Sequence, residues 1–122
     1  MAVMQSRDNR TLIAGEDLSA KQFKFVKRDS AGEAVVAGNG EEAFGVLTVP
    51  ALENNACTVT VMGKTMVEAG DTVAVNAAVS ADADGNAVTA TAGERIMGHT
   101  YEAGVDGQII AIELIQAGPL KL

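Results

Sequence analysis

Residues 82–98, DADGNAVTATAGERIMG, restate residues 29–45, DSAGEAVVAGNGEEAFG, at a distance of 53 positions and without a gap. Eight of the 17 aligned positions are identical: Asp29/Asp82, Gly32/Gly85, Ala34/Ala87, Val35/Val88, Ala37/Ala90, Gly40/Gly93, Glu41/Glu94 and Gly45/Gly98. Phe44/Met97 stay apolar, and the aligned glycines keep their register. This is an internal duplication, so the chain must fold as two editions of one small unit that share a core.

Each copy opens on Asp-x-x-Gly, a turn signal, and continues through a short Ala/Val run. It turns again at Gly40 or Gly93 and enters an apolar strand that begins near a glycine. Glycine inside a strand marks a bulge or a close approach of another backbone, so each copy is expected to be a hairpin followed by such a strand. The continuation matches after a small gap: Gly45 leads to the alternating strand 57–62 and Gly98 to 108–115.

Around the repeat, the remaining segments are also β-like. QFKFVK at 22–27 alternates, which predicts a half-buried strand with Phe23 and Phe25 on one face. The strand 43–49 is expected to stop at Pro50, which cannot donate to a ladder. CTVTVM at 57–62 should turn Cys57, Val59 and Val61 inward. Gly63 and Lys64 suit a two-residue turn that would return the chain along 65–67. Gly70–Asp71 and Asp106–Gly107 are further turn signals. No segment has the period of an amphipathic helix. The fold class expected is mainly β: eight to ten short strands in a small barrel or sandwich, with residues 1–15 as an extended N-terminal arm, 16–118 as one β domain and 119–122 as a tail.

The core should be thin. The chain of 122 residues contains 21 Ala and 14 Val but three Phe, one Tyr and no Trp, so each buried position contributes little area. Domains with thin cores take stability from disulfides, metals or neighbours. A single cysteine excludes an internal disulfide, which makes an oligomer or larger assembly the expectation.

Charge is divided along the chain. Residues 1–28 carry six basic and three acidic side chains, and the remaining 94 carry three basic against 13 acidic. An acidic body repels phosphate backbones, which argues against direct nucleic-acid binding. The basic lead suits an acidic partner or a neighbouring acidic body. No apolar run reaches membrane-spanning length, and MAVMQSRDNR lacks the apolar stretch of a signal peptide; the expectation is synthesis in a cytosol-like compartment and no membrane.

Reactive chemistry finds little support. His99 is the only histidine and Cys57 the only cysteine. A Cys57 on the inner face behaves as a small apolar group, and His99 reads as a structural strand residue. Asp82, Asp84 and Asn86 resemble a cation loop but lack the glutamate that completes an EF-hand, and Asx residues serve β-turns in any case. No catalytic residue, metal site or cofactor is expected.

Two families share these features. EAGDTVAV, residues 68–75, looks like a turn of biotinyl and lipoyl carrier domains, which would place Lys64 at a hairpin tip as the modified lysine. The biotinyl pattern sets methionine on both sides of that lysine and the lipoyl pattern an acid before it, whereas Lys64 lies between Gly63 and Thr65. The fuller resemblance, over residues 15–117, is to the capsid cement, or decoration, proteins of tailed phages, through the Gly70–Asp71–Thr72–Val73 turn, Gly45 and Gly98, and the closing apolar strand 109–115. It implies a β-tulip type fold and homotrimers on the outer surface of the virion head, made in the host cytoplasm and bound to the major capsid protein, whose shell they stabilise. The arm would then be the clamp, with Arg7 and Arg10 for acidic groups and Leu12 and Ile13 for a groove or an added strand.

Overall fold

In a computed structural model, which describes residues 5–115, the Asp-x-x-Gly signals are Asx turns. Asp29 Oδ1 accepts from the amides of Ala31 and Glu33, both at 2.9 Å, and Asp82 Oδ1 does the same for Asp84 at 2.8 Å and Asn86 at 2.9 Å. Gly32 and Gly85 complete these turns at φ of +79° and +80°, a left-handed conformation that glycine adopts without penalty.

Those turns join β2 (Phe25–Arg28) to β3 (Ala34–Val36), and β6 (Ala78–Ala81) to β7 (Ala87–Thr89). The following strands are β4 (Gly45–Val49) and β8 (Gly98–Thr100). Around them lie β1 (Gln5–Ile13), β5 (Ala56–Glu68) and β9 (Ile109–Leu114). The described residues form one curled, nine-stranded sheet in the order β3-β2-β4-β5-β9-β8-β6-β7, with β1 paired to β5. They contain no helix. This curled half-barrel is mainly β, as the hairpin signals imply, and is consistent with the small barrel among the expected architectures.

The duplication extends beyond the 17-residue match. Val26 faces Gly45 and Val36 in one unit; Val79 faces Gly98 and Thr89 in the other. Val46↔Thr60 is repeated as His99↔Glu113, and Leu12↔Cys57 as Val67↔Ile110. Strand β5 therefore serves twice: its first half closes the unit opened by β1, and its second half opens the unit closed by β9.

The identical residues each have a structural task. Ala34, Ala87 and Ala37 are fully buried, and Ala90 nearly so. Val35 packs over Gly15 as Val88 packs over Gly70. Glu41 accepts from the Gly38 amide at 2.6 Å, as Glu94 accepts from that of Thr91 at 2.8 Å. A Cβ on Gly45 would stand 2.3 Å from the Thr60 carbonyl oxygen, and one on Gly98 2.3 Å from that of Glu113. These two glycines mark close backbone approach.

Two local expectations are corrected. Gly63 and Lys64 do not form a hairpin tip. Strand β5 runs through them for 13 residues. Gly63, at φ +104°, supplies the bend by which the strand passes from β4 to β9. The strand predicted at 22–27 starts only at Phe25, because Phe23 is left-handed at φ +67°. Its amide donates to the Leu47 carbonyl at 2.7 Å and its carbonyl accepts from Glu68 at 2.9 Å, a position matched by Asn76 in the second unit.

The core is built largely of alanine and valine, as composition implies. One cluster gathers Ala14, Leu18, Val26, Ala34, Leu47, Cys57, Val59 and Val61. The other is centred on Phe25 and Met97 and joins both units.

Candidate functional site

Strand β1 is antiparallel to β5 from Gln5↔Lys64 to Ile13↔Ala56, with irregularities around Asp8. It pairs with β5 alone, which leaves its other edge open among the described residues. An open edge presents unpaired backbone donors and acceptors, the template for adding a strand.

Alternation along β1 separates the residues proposed as a clamp. Leu12 turns inward and packs against the smaller cluster. Ile13 is 43% exposed. Arg10 is exposed and paired with Asp8, and it also donates to the Asn9 carbonyl at 3.3 Å. Arg7 belongs to β1 by its backbone, and its side chain lies outside the described residues. Arg10, Leu12 and Ile13 do not share one face of the strand.

Ile13 has neighbours that sequence reasoning missed. The end of β1, the end of β4 and the loop into β5 bring Ile13, Val49 and Leu52 to one end of the sheet, all well exposed. Their signal in the sequence was an apolar residue on either side of Pro50, where no core strand could continue. The second unit repeats part of this end: Leu52 and Val105, 53 positions apart, are each 57% exposed. Exposed apolar side chains that gather at one end of a small protein are candidates for a contact surface.

A groove of ≈ 550 Å³ lies between the β2–β3 turn and the segment entering β4. Arg28 covers the Phe44 ring at 4.4 Å, and Lys27 pairs with Glu41 at 2.8 Å. Its lining mixes both signs of charge.

The remaining candidates are occupied structurally. Cys57 is 1% exposed and burial pushes its thiol up, away from the reactive thiolate. Lys64 lies over the Tyr101 ring at 4.4 Å, opposite Glu113 in the ladder. Tyr101 donates to Glu113, and that bond holds the phenol's proton and raises its pKa. His99 is a β8 residue between Ala78 and Glu113. Asp82 is committed to its turn. Among the described residues, no group of three His, Cys, Asp or Glu is placed to hold a metal ion, and no helix is long and apolar enough to cross a membrane.

Comparison with known proteins agrees with the β architecture. No curated protein sequence matches the chain. Among solved structures, it is similar to the N base of head fiber gp8.5 of bacteriophage phi29, with a TM-score of 0.73 at 15% identity over 93% of this chain and 98% of that one. The family model of phage cement proteins matches residues 13–114, which takes in β2 to β9 and so all of both units but β1. The chain belongs to the phage cement protein family.

Proposed function

We propose that this protein is a capsid decoration protein: it binds the outer surface of a phage head as a homotrimer, contacts the major capsid protein and stabilises the shell. The family match across both units carries the reading. The physical character of the chain supports it. A shell under outward pressure is held by many modest contacts repeated by symmetry, and a thin-cored subunit takes stability from each neighbour by mass action. Nothing in the structure supports the carrier alternative, since Lys64 is a mid-strand residue.

In this reading residues 1–15 are the shell-binding lead, 16–118 the body and 119–122 the tail. Leu12 holds the lead to the body. Ile13, with Val49 and Leu52, supplies apolar contact, while Arg7 and Arg10 steer toward acidic groups.

Co-sedimentation with undecorated shells of the encoding phage tests the proposal. Deleting residues 2–14 would strip β1 from β5, so surface substitutions are the cleaner probe. The full chain should bind saturably, and Ile13→Asp and Leu52→Asp should each weaken binding by about tenfold, which corresponds to ~1.4 kcal/mol. Absence of saturable binding by the unaltered chain would overturn the function. Unchanged binding by both variants would move the contact elsewhere on the body.

A further inference from the structure

Beside the shared core, one contact between the two units is made once, in one direction. From the first unit, the Gly40 amide donates to the Ala81 carbonyl at 2.7 Å and the Gly40 carbonyl accepts from Arg95 at 3.2 Å. Glu42 lies 3.9 Å from Arg95 Nε. From the second unit, the Gly85 carbonyl accepts from Phe25 at 2.7 Å, so close that a Cβ on Gly85 would stand 2.8 Å from Val36.

Shifting every partner by one repeat defines the counterpart: Gly93 against Arg28 and Glu42, and Gly32 against Ala78. Among the described residues this counterpart is not made, and a Cβ on Gly32 or Gly93 would meet none of them within 4 Å. Gly32, Gly93, Arg28 and Thr89 are exposed, whereas their equivalents Gly85 and Ala81 are buried and Gly40 and Val36 are partly covered; Ala78 is partly covered where its equivalent Phe25 is buried. A two-fold axis between the units would have generated both contacts. The units are instead related by a step that leaves one face of each unpartnered.

Those faces are complementary. The groove of ≈ 550 Å³ is lined by Arg28, Gly32, Glu42 and Phe44. In the second unit the equivalents of Arg28 and Glu42 are Ala81 and Arg95, which hold Gly40. We infer that the chain associates head to tail with further copies of itself, the Gly93 turn of one copy entering the Arg28–Glu42 groove of the next. The charges agree. Glu42 and Arg95 occupy equivalent positions, so the internal contact brings Glu42 to Arg95 and the external one brings Arg95 to Glu42. Had both copies kept one residue, each contact would set like charges together. The external version is also more polar, with Ala78 and Thr89 where the internal one has Phe25 and Val36. That suits a surface that stays in water until assembly.

A heterologous contact either closes into a ring or runs on as a filament. The contact is drawn from the repeat alone; closure after three copies rests on the homotrimer reading above.

The test uses full-length chains with Ser30→Cys on the groove and Ala92→Cys beside the Gly93 turn, treated with a short bis-maleimide, both free and on shells. Cys57, 1% exposed, stays silent in the folded protein. Each single variant alone should give no linked species. Mixing the two should give linked pairs only, and the double variant should give linked three-chain rings. Self-linking of a single variant would mean an isologous contact and would overturn the inference. Trimers that sediment as such, or shells that are decorated, without linkage would overturn the inference and leave the homotrimer and cement readings standing. Linked chains that run on beyond three would keep the contact and overturn closure. Unlinked monomers, free and on shells, would overturn both the contact and the homotrimer.

Discussion

Gly45 and Gly98 offer a calibrated perturbation, because the duplication supplies the same experiment twice. An added Cβ would sit 2.3 Å from a carbonyl oxygen of the facing strand at either site, Thr60 on β5 or Glu113 on β9. Ordinary contact begins near 3.4 Å, so each strand pair must open by about 1 Å, and the atom struck is backbone that no rotamer change can withdraw. Over-packing costs ~1–3 kcal/mol in general, and a backbone clash belongs at about 3 kcal/mol. For a domain between the small and medium classes this is a loss of ~10–15 °C in Tm.

The control is Gly93→Ala. Its φ of +86° makes the substitution strained, but none of the described residues lies within 4 Å of the new methyl. The left-handed penalty alone is ~1–2 kcal/mol. Thermal and urea unfolding followed by far-UV circular dichroism should rank Gly45→Ala and Gly98→Ala together, well below Gly93→Ala. Gly45→Ala should be the worse of the two, since its Cβ would also meet Val59 at 2.7 Å. If both lost no more stability than Gly93→Ala, the account of these glycines as close-approach residues would be wrong.

Cys57 should be unreactive toward a thiol reagent in the folded protein and react fully in denaturant; rapid native reaction would contradict its placement in the core. The Thr91 amide, against partial burial and with help from the Ser80 hydroxyl, holds the Glu94 carboxyl below its usual range. A carboxyl whose folded pKa is depressed contributes stability above its unfolded value of ~4.3 and loses it as pH falls through the lower folded value. The gap in urea midpoint between the unaltered chain and Glu94→Gln should therefore hold from pH 7 to pH 5 and shrink by pH 3; a gap that grows on acidification would reverse the assignment. Glu42→Arg alone should weaken linkage between Ser30→Cys and Ala92→Cys chains, and Glu42→Arg with Arg95→Glu should restore it, because exchange keeps opposite signs in both contacts. Failure of the pair to recover would remove the charge argument. The effect on folding stability should be small, since exposed pairs are worth ~0.2–1 kcal/mol.

What could be read from sequence depended on how local the determinant was. Asp29/Asp82 and Gly32/Gly85 act within five residues, and the turns were legible as such. Gly45 and Gly98 could be narrowed to a bulge or a close approach; choosing between them needed the facing strand. Gly63–Lys64 misled because a glycine with positive φ serves a two-residue turn and a bent strand equally. The bend at Gly63 is decided by β1 and β9, which lie far away in sequence. Phe23 misled for a related reason. Alternation in QFKFVK is a pattern of side chains, while its left-handed backbone is fixed by bonds to Leu47 and Glu68. Of the candidate contact residues, Arg10, Leu12 and Ile13 were visible as a segment. Their separation onto two faces, and the addition of Val49 and Leu52, required the register of β1 and β4 on β5.

Identity and divergence between the two units carry different information. The retained glycines Gly32 and Gly93 are explained by φ alone, at +79° and +86°, so their retention says nothing about assembly. The diverged positions do. Phe25 and Ala78 are equivalent in the fold, yet Phe25 is fully buried between the units and Ala78 is half-exposed on the free face. An aromatic at 78 would put a large apolar group in water before any partner arrived, an aggregation hazard in the free chain. An alanine at 25 would empty the place where the two units meet, at ~3–5 kcal/mol. The same logic separates Val36 from Thr89, and Glu42 from Arg95. A duplicated unit that met its twin symmetrically would have no reason to diverge at these positions. The asymmetry of the sequence follows from the asymmetry of the contact, in which one face is buried in folding and its equivalent is left for another chain.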